Sequence, residues 1–388
     1  VTKSSNGKSV SDILKFHAKQ GTVAGTLKDV IKPVTSITTG SLAIDTILGI
    51  GGLPVGRIVE VFGHPGSGKT SLALQTAAAL QKQIKETDSD EHILYMDFEH
   101  ALDVDYAQAL GLDMKDESVI WAQPDSLEKG AALARDLVGA GLVRLMIWDS
   151  VAEAQPETVL GAETGQSQMA VRARVMSQFL QQINNLFFAN DCTAVFLNHI
   201  QEKISMTGVK SDTTPGGDAL KFYSSVRIKF QQLQKQSGKR FNPLTNSSED
   251  FTISTNTQVT IVKNKVAAPQ RKCTVRVRYG KGFDNFWNAI QILEGYKKIT
   301  HSGAWYYFDR VEGLTHPDLP LDGKNRPSFQ GEDNLLTYAE TNEEWRDLVI
   351  NYAAKVVIEA DPKDTDLHNI LEKEELIPGL GRLEDIDV

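Results

Sequence analysis

Residues 63–70 read Gly-His-Pro-Gly-Ser-Gly-Lys-Thr, and no other stretch of the 388-residue chain restricts its architecture as tightly. The spacing GxxxxGK[ST] belongs to loops whose backbone amides turn inward on phosphate oxygens while a lysine adds positive charge. Glycines are needed there because side chains would block the approach. The match stands after the apolar run Ile58 to Phe62 and before the alanine-rich segment SLALQTAAALQKQ. It therefore joins a strand to a helix N-terminus, which favours anions, whereas an ordinary glycine turn needs neither flank.

The surrounding pattern is α/β with a mainly parallel sheet. From about Val34 to Asp284, apolar runs of strand length (RIVEVFG, HILYMDF, LVRLMIWD, CTAVFLN) alternate with longer helical segments. Three of these runs end in Gly63, Asp97 and Asp149, at the edge where open parallel sheets place their ligands. Ser9 caps an expected short helix with Val10, Ile13, Leu14 and His17 at helical spacing, and a connector through Gly21, Gly25 and Pro33 completes a small appendage over residues 1–33. The core then spans 34–284. Beyond it, NFWNAIQILEGYKKI predicts a helix, AWYYF a strand, and Trp345, Leu348, Val349, Tyr352, Ala353 and Val356 the apolar stripe of another helix, giving a small α+β domain over 285–358. Residues 359–388 are expected to form an acidic mobile tail.

The net charge of −9 is unevenly spread. Residues 359–388 hold ten acids against three bases, whereas Val259 to Phe283 holds seven bases (Lys263, Lys265, Arg271, Lys272, Arg276, Arg278, Lys281) and no acid. A polyanion is therefore expected to be met locally despite the total. Alternation on the strand places Cys273, Val275, Val277 and Tyr279 on one face and Lys272, Thr274, Arg276 and Arg278 on the other. Cys192 and Cys273 each lie in a strand-like run and read as small buried hydrophobes in a reducing compartment, which excludes a disulfide scaffold or a four-cysteine zinc site. With no long uncharged apolar segment and no signal-like start, a cytoplasmic protein is expected.

Chemistry is expected around the phosphate loop. Thr70 can offer its hydroxyl to Mg²⁺, and Asp149 at the end of its strand can hold that ion directly or through water, although a strand-terminal aspartate taken alone is a solvated strand end. Glu99, just past the strand His92 to Phe98, can orient or deprotonate an attacking water. His199 ends the strand after Asn198 and by itself reads as a histidine hydrogen-bonded at a sheet edge. A Ser150, His199, Asp149 triad is conceivable but has no nucleophile motif behind it.

Together these residues resemble the RecA family of homologous recombinases from Ile37 to about Ile358. The segments that carry the resemblance are ITTGSLAIDTILGIGGLPVGRIVEVFG, the phosphate loop, DFEHALDVDY, WDSVAEAQP, Met169 to Gln178, PGGDALKFYSSVR and VKNKVAAP. The resemblance implies a RecA-like ATPase core in which Gly63, His64, Pro65, Gly66, Ser67, Gly68, Lys69 and Thr70 cradle ATP, Thr70 and Asp149 serve Mg²⁺, and Glu99 activates water. It further implies that Asp103 and Tyr106 lie near the adenine, with Tyr279 among the nucleotide contacts, and that Lys263 and Lys265 reach into a neighbouring subunit's ATP. Two segments, Glu157 to Met169 and the seventeen-residue Gln201 to Gly217, look like the family's DNA loops, the second expected as an irregular binding loop. Met169, Arg174, Ser177, Ile204, Gly216 and Gly217 match positions that meet single-stranded DNA, and Phe222 matches the position that couples subunits. The N-terminal helix and the Ile31 to Ile37 strand are expected to pack on the next subunit, a head-to-tail contact that builds an open filament.

Some positions depart from the bacterial pattern. His199 stands where bacterial members have glutamine, the position that the resemblance implies senses the γ-phosphate and orders the second DNA loop, and phage recombinases of the UvsX kind carry histidine there. Gln181, Gln201 and Glu202 replace bulkier or basic residues and are not counted as DNA contacts. An insertion at Lys85 to Glu91 lengthens the connection before the strand that leads to Glu99, another around Ser237 to Asp250 lengthens a hairpin, and both are expected at the surface as loops. The function implied is a DNA-dependent ATPase that forms a filament on single-stranded DNA and then pairs it with homologous duplex DNA, with no membrane partner. The alternatives are a RecA-like hexameric helicase or translocase and a nucleotide-gated DNA scaffold without useful turnover.

Overall fold

The computed structural model describes residues 14–16, 34–160, 168–204, 210–242, 244–308, 314 and 319–360. The chain divides into two units, residues 1–35 and 36–388. In the first, residues 14–16 are helical, inside the helix expected after Ser9, and the remainder of that helix, with the strand expected from Ile31, lies outside the described residues up to 33. Of the acidic tail expected over 359–388, Glu359 and Ala360 instead close the last helix, and residues 361–388 lie outside the described residues.

From residue 36 onward the chain forms β1 (Ser36–Ile37), α1 (Leu42–Leu48), β2 (Leu53–Pro54), β3 (Ile58–Gly63), α2 (Lys69–Thr87), β4 (His92–Asp97), α3 (Val104–Ala109), β5 (Val119–Ala122), α4 (Leu127–Gly139) and β6 (Val143–Asp149). Next come α5 (Glu157–Leu160), α6 (Gln168–Ala189), β7 (Thr193–His199), β8 (Gln201–Ile204), β9 (Lys210–Thr213), α7 (Gly217–Tyr223), β10 (Val226–Asn242), β11 (Ser247–Asn264), β12 (Lys272–Arg278) and β13 (Gly282–Phe283). The C-terminal part contains α8 (Asn285–Gly295), β14 (Thr300–Ser302), β15 (Trp305–Tyr307), β16 (Ser328–Gln330), α9 (Glu332–Thr341) and α10 (Glu343–Ala360). Among the described residues no helix is long and apolar enough to cross a membrane.

Nine strands make one sheet in the order β13-β12-β11-β10-β3-β7-β6-β4-β5. The strands from β10 to β5 pair in parallel, and β10 to β13 pair antiparallel. The central strands β3, β7, β6 and β4 are buried on both faces because helices cover both, which is why they read as nearly unbroken apolar runs. Their alternation sorts the core into two layers: Val59, Val61, Ile93, Tyr95, Leu145, Ile147, Val195 and Leu197 join Leu72, Ala73, Ala77 and Leu80 of α2. Leu94, Met96, Met146, Trp148 and Phe196 join α4 and α6 on the other side. There the Trp148 ring stacks on Phe98 at 4.6 Å and lies 5.3 Å from Phe179, so the end of β6 is held by ring packing worth about 0.5–1.5 kcal/mol per pair beyond burial. A third cluster, centred on fully buried Trp345, fills the C-terminal part.

Two expected loops contain regular structure, and the expected lengthened hairpin is present. α2 continues through Thr87, and Lys85 pairs with Asp116 at 2.8 Å, so the first half of the Lys85 to Glu91 insertion is helix. The Ser237 to Asp250 insertion is the outer part of a long antiparallel ribbon, in register from Ser237↔Thr252 to Asn242↔Ser247. Gln201 to Gly217 contains the hairpin β8–β9, paired from Gln201↔Thr213 to Ile204↔Lys210, and then the start of α7. The strands of that hairpin read QEKI and KSDT, without the apolar alternation by which strands are read.

Candidate functional site

The parallel register brings the functional strand ends level, with Gly63 opposite His199 and Asp97 opposite Asp149. At Gly63 a Cβ would lie 2.4 Å from the Phe230 carbonyl oxygen, and Gly66 and Gly68 hold φ of 69° and 101°, so the loop needs glycine at these positions for close approach and for left-handed backbone. Lys69, the first residue of α2, is buried and donates from Nζ to the carbonyls of Gly63 at 3.1 Å and His64 at 3.0 Å. Burial pulls its ammonium below the usual lysine range, and Asp149 and Glu99 oppose that shift. The Ser67 hydroxyl is buried in the same loop without a hydrogen-bond partner.

Asp149 Oδ2 accepts from the Tyr95 hydroxyl at 2.7 Å and faces Thr70 Oγ1 at 3.4 Å. Burial pushes the Asp149 carboxyl up to about 6; the Tyr95 hydrogen bond works against it and the neighbouring Glu99 and Asp97 charges with it. Glu99 Oε1 lies 2.9 Å from His199 Nε2, and that bond, foremost, holds the Glu99 carboxyl below its ordinary range against partial burial. His199 thus pairs with Glu99 rather than with Asp149, so the Ser150, His199, Asp149 triad is not formed.

Beside the loop opens a cleft of about 530 Å³ whose walls include Gly66, Lys69, Thr70, Asp103, Tyr106 and Tyr279. Asp103 caps α3 by accepting from the Tyr106 amide at 2.9 Å, and the Tyr106 and Ser71 hydroxyls meet at 2.7 Å. A glycine cradle, an orphaned Ser67 hydroxyl, a buried lysine and two tyrosines on the walls fit a nucleoside triphosphate. Thr70 and Asp149 supply two oxygen donors, which fits Mg²⁺, an ion that completes its shell with phosphate oxygens and water. Among the described residues no group of three His, Cys, Asp or Glu side chains could hold a metal.

Other expected site residues stand apart from this cleft. Lys263 Nζ donates to the carbonyls of Lys221 at 2.6 Å and Phe222 at 3.1 Å at the end of α7, and Lys265 joins the Ser225 carbonyl through its amide. Phe222 is 76% exposed. Gly216 and Gly217 hold φ of 89° and 75°, and a Cβ on either would lie 2.8 Å from Val151 or Ala173, so close packing as well as turn geometry demands glycine. Arg174 is exposed and Ser177 partly so on α6. Met169 and Ile204 sit in α6 and β8, and their side chains lie outside the described residues, as do residues 161–167 of the first expected DNA loop.

The basic stretch is less available than composition implies. Arg276 is buried, ion-paired with Glu332 and 4.4 Å over the Trp287 ring, while Arg278 and Lys281 share Glu340 of α9. The face read as a basic surface is therefore partly the seam to the C-terminal helices. Two buried polar residues went unread in the apolar runs. Asn198 donates to Glu60 Oε1 at 3.0 Å and to the Pro215 carbonyl at 2.9 Å, and Tyr95 holds Asp149; their polarity inside buried strands was the available signal.

A family model described as the RecA N-terminal domain matches residues 7–284. Among similar proteins, the protein RecA of Rubrobacter xylanophilus is 37% identical over 316 residues, 81% of this chain and 82% of that protein. The protein RecA of Macrococcus caseolyticus is 35% identical over 81% of this chain and 80% of its own length. That of Acinetobacter baylyi is 35% identical over 80% of each.

Proposed function

The chain belongs to the RecA family, and from that premise we propose that it is a recombinase, an ATP-dependent filament on single-stranded DNA that carries out homologous pairing and strand exchange in recombination and DNA repair. The observation that carries this reading is the Glu99–His199 contact of 2.9 Å, because His199 ends β7 and the hairpin β8–β9 starts two residues later. One histidine links the phosphate end of the nucleotide site to the backbone of the proposed DNA element.

In this reading Gly63 to Thr70 grip the phosphates, and Asp103, Tyr106 and Tyr279 flank the base. Thr70 and Asp149 would hold Mg²⁺, which neutralises phosphate charge. Glu99, kept ionised by His199, orients the attacking water and accepts its proton. When Glu99 turns to that water, His199 is released, and the change reaches the hairpin through Asn198 and the Pro215 carbonyl. Arg174, Ser177, Met169, Ile204 and the Gly216 and Gly217 amides meet DNA phosphates and bases, a mode with little sequence preference. Lys263 and Lys265 leave their present partners for a neighbour's ATP, and Phe222 packs on that neighbour. The division into an oligomerisation segment (1–33), core (34–284), C-terminal domain (285–358) and acidic tail (359–388) belongs to the same proposal, as does a cytoplasmic setting in which Cys192 and Cys273 remain unpaired thiols. ATP turnover measured with and without single-stranded DNA tests it: DNA should raise the rate several-fold, and equal rates would contradict it.

A further inference from the structure

Tyr95 lies within β4 and is 1% exposed. Asp97 of the same strand is level with Asp149 of β6, and side chains two residues apart share a face, so the phenol runs beneath the α2 side of the sheet toward the strand end. Its hydroxyl donates to Asp149 Oδ2 at 2.7 Å, the oxygen that Thr70 Oγ1 approaches at 3.4 Å. One carboxylate oxygen is thus braced from two elements, a strand and a helix. A carboxylate held only by Thr70 could turn about its terminal bond; a second hydrogen bond from a buried phenol on the sheet opposes that turn.

We propose that Tyr95 is a positioning residue that sets cation specificity at Thr70 and Asp149, fixing the Asp149 carboxylate in an orientation suited to a small dication. The inference rests on the nucleotide reading above. Mg²⁺ demands near-ideal octahedral geometry at about 2.0–2.1 Å, whereas Ca²⁺ accepts roughly six to eight oxygens in flexible arrangements. A braced carboxylate favours the first ion, and a turning one gives up its advantage.

The test is equilibrium binding of a fluorescent methylanthraniloyl-ATP to the full chain, titrated separately with Mg²⁺ and Ca²⁺, for the parent and Tyr95→Phe. The variant keeps the ring and its packing. Its Mg²⁺ midpoint should rise roughly tenfold, the scale of a hydrogen bond to a charged group, while the Ca²⁺ midpoint moves less than about twofold. A lower melting temperature with both midpoints unmoved would assign the phenol to the fold alone and overturn the inference, and so would an equal rise in both. A parent whose nucleotide binding ignores cations would instead sink the nucleotide reading, and this inference with it.

Discussion

Glu99 and Asp45 are two carboxylates that burial and hydrogen bonding push in opposite directions, and each makes a residue-scale prediction. His199 holds the Glu99 carboxyl below its ordinary range, and in the proposed reaction Glu99 is the general base, so Glu99→Gln should lower ATP turnover by roughly 10²–10⁴ while leaving nucleotide binding within about threefold. Turnover at the parent rate would remove Glu99 from the chemistry. Asp45 caps the turn before α1, accepting from the Thr39 amide at 2.9 Å and from the Thr38 and Thr39 hydroxyls. Burial nevertheless pushes its carboxyl from 3.8 up to about 7. The folded chain therefore keeps a proton that the unfolded chain releases near the ordinary value. Stability from this group is full below about pH 4, falls as pH rises, and is lost above about pH 7, with an upper bound of ~4 kcal/mol. Asp45→Asn has no proton to lose, so its melting temperature should gain on the parent's between about pH 4 and pH 7; a constant difference would contradict the assignment.

At the scale of elements, the turn into α7 is the joint between the hairpin and the body. Gly217 holds φ of 75° and faces the Ala173 Cβ of α6, so Gly217→Ala should cost about 1–3 kcal/mol in urea unfolding, and an unchanged midpoint would show that the joint is slack. The elements also show what the sequence can disclose. β3, β4, β6 and β7 were readable because both of their faces are buried, and the phosphate loop because its chemistry is local in sequence. The β8–β9 hairpin was not, since its strands QEKI and KSDT carry no periodic apolar residues. Tyr95 was hidden for the opposite reason: it looks like one more core residue until the register of β4 against β6 places its hydroxyl on Asp149. The pairing of Glu99 with His199, 100 positions apart, likewise depends on strand order that no local pattern contains.

For the whole molecule, the seam between core sheet and C-terminal helices rests partly on Arg276, which is buried between Trp287 and Glu332. Glu332→Ala would leave a buried guanidinium without its counter-ion, and unfolding should be easier by roughly 3 kcal/mol. Little change would mean that solvent already reaches the pair. Removing residues 361–388, which hold most of the acidic excess, should strengthen binding to duplex DNA and steepen its salt dependence, as read by fluorescence anisotropy across a salt series. The central claim is that ATP joins copies of this chain head to tail around one DNA strand. Electron microscopy of the protein with single-stranded DNA and a non-hydrolysable ATP analogue tests it most directly: helical filaments that require both ligands are the predicted result, and closed rings or unassembled protein would contradict it.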